Sequence, residues 1–200
     1  NLLLTIGEPN GKKDRFLLSN EKPETLPNGT TWIQTPVKRI LTLAGTDIGM
    51  LGCLNQELRI CGVSDRSTVY NKNVLKRIQK GKISDFGQQD QLSFEQIIQC
   101  TPQIITYSEF GNGFPHHKEL AKAHIICLPI LDWKETHPLG KAEWIKLYGY
   151  LCGKSSKSND FFEQRTRSYR ALLSKQKSQR SKPTVFTGNQ TGEIWFCPAG

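Results

Sequence analysis

Arg66 and four aromatic side chains, Phe86, Tyr107, Phe110 and Trp133, are the residues of this 200-residue chain best suited to chemistry, and that chemistry is binding. A guanidinium fork matches a planar carboxylate or phosphate. The aromatics offer flat apolar area on which a large ligand can stack. Each has an ordinary counterpart: Arg66 in a surface ion pair with a nearby Asp, the aromatics in the core. Thr46-Asp47 adds backbone donors, because it lies where the β-branched run Ile40 to Ala44 passes through a small-residue turn, Ala44-Gly45, into an apolar helical pattern from Ile48 to Leu54. N–H groups and the positive end of the helix dipole there face whatever lies beyond the strand end. Such edges are where open α/β sheets bind ligands.

Catalysis and resident metals find no support in the residue pattern. The chain has no G-x-S-x-G, no H-E-x-x-H, no Walker-type loop and no G-x-G-x-x-G after its first buried strand, and Gly111-Asn-Gly113 reads as a loop tip. No catalytic residue and no cofactor are expected. Adjacent helical residues point about 100° apart, so His116 and His117 do not readily share a metal, and no metal site is expected. Six cysteines, Cys53, Cys61, Cys100, Cys127, Cys152 and Cys197, form no C-x-x-C. Several sit in apolar runs and read as buried thiols, with a disulfide left open by the sequence.

The formal charge of +9 raises the question of a polyanionic partner. Seven bases, from Arg165 through Arg167, Arg170, Lys175, Lys177 and Arg180 to Lys182, fall in one segment without an acidic residue. With no nucleic-acid motif and little aromatic interleaving, this reads as a solvated helix face rather than a nucleic-acid strip. No apolar run approaches the roughly 20 residues of a membrane-spanning helix. The first residues lack a basic and apolar leader, so any export signal is expected to be absent from this chain.

These residues need elements to position them. Residues 1–36 read as short strands and turns, with Phe16-Leu17-Leu18 as an apolar run and Pro23, Pro27, Asn28-Gly29 and Pro36 as punctuation. Ile40–Ala44, Ile60–Val63, Ile104–Tyr107 and Ile125–Ile130 are continuous apolar runs, as in strands buried on both faces. Between them lie helical patterns. Ser93-Phe-Glu-Gln96 fits a capping box that opens a helix with Phe94, Ile97 and Ile98 on one face, ended by Thr101-Pro102. Pro115 is expected in the first turn of the next helix, with Leu120 and Ala121 inward. Trp144, Leu147, Tyr148 and Leu151 follow helical spacing, and a second helix runs from about Asn159 to Gln179, stopped by Pro183. Thr184-Val185-Phe186 is expected to start another strand. The alternation predicts parallel strands with right-handed crossovers.

Taken in order, R-I-L-T-L-A-G-T-D, C-G-V-S-D-R, I-S-D-F-G, S-F-E-Q-I-I-Q-C-T-P-Q-I-I-T-Y, Leu128-Pro-Ile-Leu-Asp-Trp133 and P-L-G-K-A-E-W-I-K resemble one family over about Pro36 to Phe186. It is the periplasmic or lipid-anchored substrate-binding component of ABC importers for iron-siderophore, haem and cobalamin, the two-lobe type linked by a single helix. The resemblance implies an α/β fold: a Rossmann-like N-terminal lobe with a mainly parallel sheet, a long linking helix, and the start of a truncated second lobe. The corresponding boundaries are 1–36 for N-terminal strands and turns, 37–137 for the α/β lobe, 138–182 for the helical connector and 183–200 for the start of the C-terminal lobe.

Several roles follow from the resemblance. The family's ligand is touched by loops at the C-terminal ends of the strands, which implies Thr46, Asp47, Arg66, Phe86, Tyr107, Phe110 and Trp133 as ligand-binding residues. His137, with Tyr107 as its rival, is the candidate axial ligand to a haem iron; a surface histidine is its ordinary reading. Glu95 corresponds to a glutamate with which family members dock on arginines of the membrane permease, against the plain reading of a first-turn glutamate favoured by the helix dipole. The implied partners are the iron-siderophore, haem or cobalamin ligand and an ABC permease in the inner membrane, with no nucleic acid, a monomeric full-length protein and a periplasmic location. The rival reading is an α/β enzyme subunit whose active site is completed by a missing C-terminal part.

Overall fold

The computed structural model describes residues 1–7, 11, 13–87, 92–110, 113–177 and 184–196. At the start, β1 (Leu2–Gly7) pairs antiparallel with β2 (Lys13–Ser19), which pairs parallel with β3 (Thr30–Gln34). Ile6, Phe16, Leu18 and Ile33 point from this small sheet into the main core. Trp32 Nε1 donates to Ser19 Oγ at 2.8 Å, a cross-strand tie between β2 and β3.

The body of the fold then alternates: β4 (Ile40–Thr42), α1 (Gly45–Cys53), β5 (Ile60–Val63), α2 (Lys72–Gln79), β6 (Ser84–Asp85), α3 (Phe94–Cys100), β7 (Ile104–Ser108), α4 (His117–Lys122) and β8 (Ile126–Ile130). The five strands are all parallel in the order β6-β5-β4-β7-β8. The four apolar runs read from the sequence are its strands β5, β4, β7 and β8, and the fully buried Ile40, Leu41, Ile60, Ile104, Ile105 and Leu128 explain why those runs lack a polar alternation. The fifth strand, β6, is two residues long and was not anticipated. Two apolar clusters form on the sheet. One joins α1, α2 and the small N-terminal sheet; the other includes Cys61, Phe86, Ile97, Cys100, Tyr107, Phe114, Leu120 and Cys127 under α3 and α4.

Local signals explain most helix limits. Ser93 Oγ accepts from Gln96 N at 3.5 Å, the Ser half of the expected capping box, and Thr101 ends α3 in the left-handed conformation. The next helix differs from expectation. His116, at φ 55°, caps α4, so Pro115 lies before the helix, and Ala121 is exposed while Leu120 alone is buried.

From Pro138 three helices follow: α5 (Pro138–Glu143), α6 (Ile145–Cys152) and α7 (Ser155–Lys177). The last begins four residues earlier than expected, and Gln179 and Pro183 lie outside the described residues. Helices α6 and α7 cross at Gly149. A Cβ there would stand 2.0 Å from Ser158 Oγ, so only glycine lets the two backbones approach this closely. Arg165, Arg167 and Arg170 are exposed on α7, in keeping with a solvated face, while Arg180 and Lys182 lie outside the described residues. Thr184-Val185-Phe186 is not a strand; the strands are β9 (Asn189–Thr191) and β10 (Ile194–Phe196), an antiparallel hairpin. The apolar run at 184–186 suggested a strand, but the turn at 192–193 sets the pairing. Among the described residues no helix is long and apolar enough to cross a membrane.

Candidate functional site

The loops that leave the C-terminal ends of β4, β5, β7 and β8 carry most of the anticipated binding residues. Two of them meet: Phe110 and Trp133 have ring centroids 5.3 Å apart, tilted by 36°. Both are open to solvent, Phe110 by 68% and Trp133 by 46%, which is costly for large aromatics without a partner. Lys134 Nζ stands 5.0 Å from the Trp133 ring centroid, so a cation borders the aromatic surface.

Local hydrogen bonds hold this pair. Glu109 accepts the Tyr107 hydroxyl at 3.1 Å through one carboxylate oxygen and the Gly113 N–H at 3.2 Å through the other. Its own N–H bonds the Ile130 carbonyl at 3.3 Å. Glu109 therefore ties the two ends of the Phe110 loop to β7 through its carboxylate and to β8 through its backbone N–H. On the Trp133 side, residues 132–134 form a 3-10 turn, and Glu135 accepts from Trp144 Nε1 at 3.1 Å. The sequence pointed to Phe110 and Trp133; it did not point to Glu109, Glu135 and Lys134, whose part depends on contacts across loops.

Thr46 and Arg66 are also exposed on the same sheet edge. Arg66 opens a 3-10 turn, Arg66–Thr68, capped by Asp65, and takes part in no ion pair among the described residues. The Asp65 carboxylate instead accepts the Ser67 N–H at 2.8 Å. Gly45 approaches the carbonyl of Thr68, since a Cβ there would lie 3.3 Å from it, so the loops after β4 and β5 touch. Tyr70, 88% exposed in the loop after β5, is an aromatic that the sequence reading passed over, for lack of any pattern around it.

Three of the seven anticipated ligand residues are in the core instead. Phe86 packs on Gly62, where a Cβ would lie 2.5 Å from the Phe86 ring. Tyr107 packs on Phe114 with ring centroids 4.9 Å apart and planes inclined by 51°, and burial, with Glu109 beside it, pushes its hydroxyl well above the ordinary tyrosine range. Asp47 is fully buried at the third position of α1, where its Oδ2 accepts from Thr42 on β4 at 3.0 Å and from Thr106 on β7 at 2.7 Å. It thus bridges the two strands between which the sheet reverses its order. Desolvation raises its pKa from 3.8 to about 6 against the lowering effect of Tyr148, Thr106 and Thr42. The Tyr148 hydroxyl stands alongside without an aligned bond, and Asp47 Oδ1 is likewise unpaired.

Both candidate iron ligands are already engaged within the chain. The Tyr107 hydroxyl is buried and committed to Glu109. His137 caps α5 with Nδ1, which accepts the Leu139 N–H at 3.1 Å, so the neutral ring keeps its proton on Nε2. Its ring also meets Tyr169 edge-on at 5.3 Å. No group of three His, Cys, Asp or Glu among the described residues could hold a metal ion.

Glu95 is exposed in the first turn of α3 and accepts from Ser93 Oγ at 2.7 Å. That hydrogen bond holds its carboxyl below the ordinary range.

No protein-family model matches the chain. It is 25% identical over 167 residues to an uncharacterized lipoprotein of Methanocaldococcus jannaschii, covering 75% of this chain and 39% of that protein. A periplasmic binding protein from Veillonella parvula superposes with a TM-score of 0.62 at 11% identity, over 82% of this chain and 53% of that one. A periplasmic heme binding protein from Pseudomonas aeruginosa does so with a TM-score of 0.52 at 22% identity, over 72% and 50%. The chain thus spans about two fifths of the curated relative's length and about half of these two structures. The five-stranded parallel sheet and its helices match lobes of these proteins: the chain has the fold of a lobe of the periplasmic binding proteins.

Proposed function

We propose that this chain forms the N-terminal lobe and linking helix of the solute receptor of an ABC importer, and that it presents an iron complex, haem or a corrinoid to the permease. The observation that carries the reading is the exposed Phe110–Trp133 pair bordered by Lys134 at the open edge of the sheet. Flat apolar area beside a cation suits a large planar ligand with acidic substituents. The fold supports the same reading, since a heme binding protein is among those that superpose. Thr46 and Arg66 belong to the same edge and complete the binding surface, Arg66 as the fork for a carboxylate or phosphate. Asp47, Phe86 and Tyr107 act behind it, as supports. Because Tyr107 and His137 are committed to Glu109 and Leu139, this part of the receptor contributes stacking and charge rather than iron coordination.

The test is a titration of the full-length protein with haemin, a ferric catecholate siderophore and cyanocobalamin, followed by absorbance and tryptophan fluorescence. Trp133→Ala should weaken the ligand that binds by about 2 kcal/mol, roughly thirtyfold in Kd. Unchanged affinity, or no binding of all three, would sink the proposal.

Glu95 serves the second half of the task, docking on cationic residues of the permease. Substituting alanine should cut uptake in a reconstituted importer about tenfold or more while ligand affinity stays the same, because truncating one partner of a charged contact acts on the complex alone. Loss of ligand binding in Glu95→Ala would contradict that role.

A further inference from the structure

We propose that Asn28 is the acceptor of an N-linked glycan, carried on the turn between β2 and β3 and supplied by a lipid-linked oligosaccharide. The proposal rests on the reading of the chain as an exported receptor, since an N-x-[ST] acceptor is a feature of surface loops in exported proteins. Two asparagines open such a triplet without proline in the middle: Asn28-Gly-Thr30 and Asn189-Gln-Thr191. A triplet is short enough to arise by chance, so the surroundings decide. Residues 189–191 are strand β9, each in register with β10, and that ladder holds the triplet extended. Asn28 and Gly29 are instead the central residues of a β-turn. The Thr30 N–H donates to the Pro27 carbonyl at 3.1 Å, and Gly29 has φ 70°. That is the type II pattern, with glycine at the third position, where a left-handed φ is required. Asn28 is exposed at the corner, and a Cβ built on Gly29 would meet nothing within 4 Å. The outside of the turn is therefore open to a macromolecular active site.

The Thr30 hydroxyl is a second, independent observation. It is buried and has no hydrogen-bond partner among the described residues. An enclosed hydroxyl without a partner costs stability that a methyl group in its place would not. Valine, of the same shape and a good strand former, would serve the fold at this first residue of β3 at least as well. The folded chain thus makes no use of the oxygen, whereas a transferase that reads the triplet does, because a hydroxyl two residues after asparagine defines it. Thr30 is the end residue of an edge strand, so unpairing from Arg15 alone frees it for recognition. In the transfer step the Asn28 side-chain nitrogen attacks the anomeric carbon of an oligosaccharide joined through phosphate to a polyprenol. The C–N bond forms as the anomeric C–O bond breaks. The lipid phosphate leaves with the bonding pair, and the amide nitrogen gives one of its two protons to a base of the transferase.

The experiment takes the full protein from its native cells, fractionated into cytoplasm and cell surface, and maps it by peptide mass spectrometry. Trypsin releases residues 16–38 as one peptide, since Lys22 is followed by Pro23. In the wild type this peptide should be heavier by a whole number of sugar residues, with the added mass on Asn28 after electron-transfer fragmentation. Among variants made in the same cells, Asn28→Gln should lose the added mass and Thr30→Ser should keep it. Thr30→Val should lose it without a fall in the thermal unfolding midpoint. A bare or merely deamidated peptide, sugar on any other residue of it, or a glycan that survives Thr30→Val would overturn the proposal. The wild-type peptide decides the matter even if a variant fails to fold. Fractionation keeps the two readings apart: a bare peptide in surface protein counts against the glycan alone, and a bare peptide in cytoplasmic protein counts against export as well.

Discussion

Gly149→Ala is expected to cost about 3 kcal/mol of stability, the upper end for forcing a methyl into a packed interior. The added carbon would lie 2.0 Å from Ser158 Oγ, 2.5 Å from Ser158 Cβ and 3.2 Å from the Lys154 carbonyl. None of these can retreat easily. Ser158 is fully buried on the first turns of α7 and donates to Ser155 O at 2.8 Å, and the Lys154 carbonyl accepts the Ser158 N–H at 3.0 Å. The only relief is for α7 to move off α6, which would loosen the packing of Tyr148, Leu151 and Cys152 in the main cluster. Thermal unfolding should show a drop of roughly 6 to 12 °C for a chain of this size. Ser158→Gly placed in the Gly149→Ala background should recover part of it, because it removes the two closest atoms. A variant within about 0.5 kcal/mol of the parent would show that the crossing is not tight.

Asp47 gives the second large effect, and it is a pH effect. Its pKa in the folded chain is about 6, above the 3.8 of an unperturbed aspartate. The folded state therefore holds the proton more tightly than the unfolded state, and stability falls as pH rises from about 4 to about 6. Two units correspond to about 3 kcal/mol between the ends of that window. Asp47→Asn cannot ionise and should abolish this part of the slope, leaving the variant the more stable of the two near neutrality relative to acid pH. Denaturant unfolding measured at half-unit steps of pH checks it. Parallel slopes for parent and variant would mean that Asp47 is not the desolvated group its surroundings imply.

The same aspartate marks the limit of what could be read from sequence. Thr46-Asp47 after a strand has the appearance of a polar ligand-facing turn, and half of it is: Thr46 is exposed. Asp47 turns inward because Thr42 and Thr106 offer it hydroxyls, and Thr106 is 59 residues away in sequence, out of reach of any local pattern. The parallel core was legible for the opposite reason. Ile40, Ile60, Ile104 and Leu128 belong to strands covered on both faces, so the apolar character is continuous and visible in each run by itself. Ser84–Asp85 was not, being too short to show a period. The small sheet was legible as strands, but the parallel pairing of β2 with β3 was not, since Leu18 opposite Ile33 and Trp32 Nε1 on Ser19 Oγ join segments that no local pattern connects.

The binding surface divides in a similar way. Exposed Phe110, Trp133 and Arg66 kept the place that residue type suggested, whereas Phe86 and Tyr107 were drawn into the second cluster by Gly62 and Phe114. The positive charge divides too. Besides the exposed bases of α7, Arg39, Arg59 and Arg77 are spent on carbonyls: Arg59 donates to Val37 O and Cys152 O, Arg77 to Glu57 O at 2.5 Å and Leu58 O at 3.3 Å. These three guanidiniums keep their charge, but their donors are occupied and do not fork onto an anion.

The 23 residues of α7 make a shaft about 35 Å long at the usual helical rise. It is held at two places, by Ser158 against Gly149 and by Tyr169 edge-on to His137 at 5.3 Å. Only about 12 Å of helix, carrying the exposed Leu172 and Leu173, extends past the second hold. A tilt of about 5° about Tyr169 moves that end by about 1 Å. The shaft is therefore a strut pinned at two points, and whatever lies beyond it is set by both pins together.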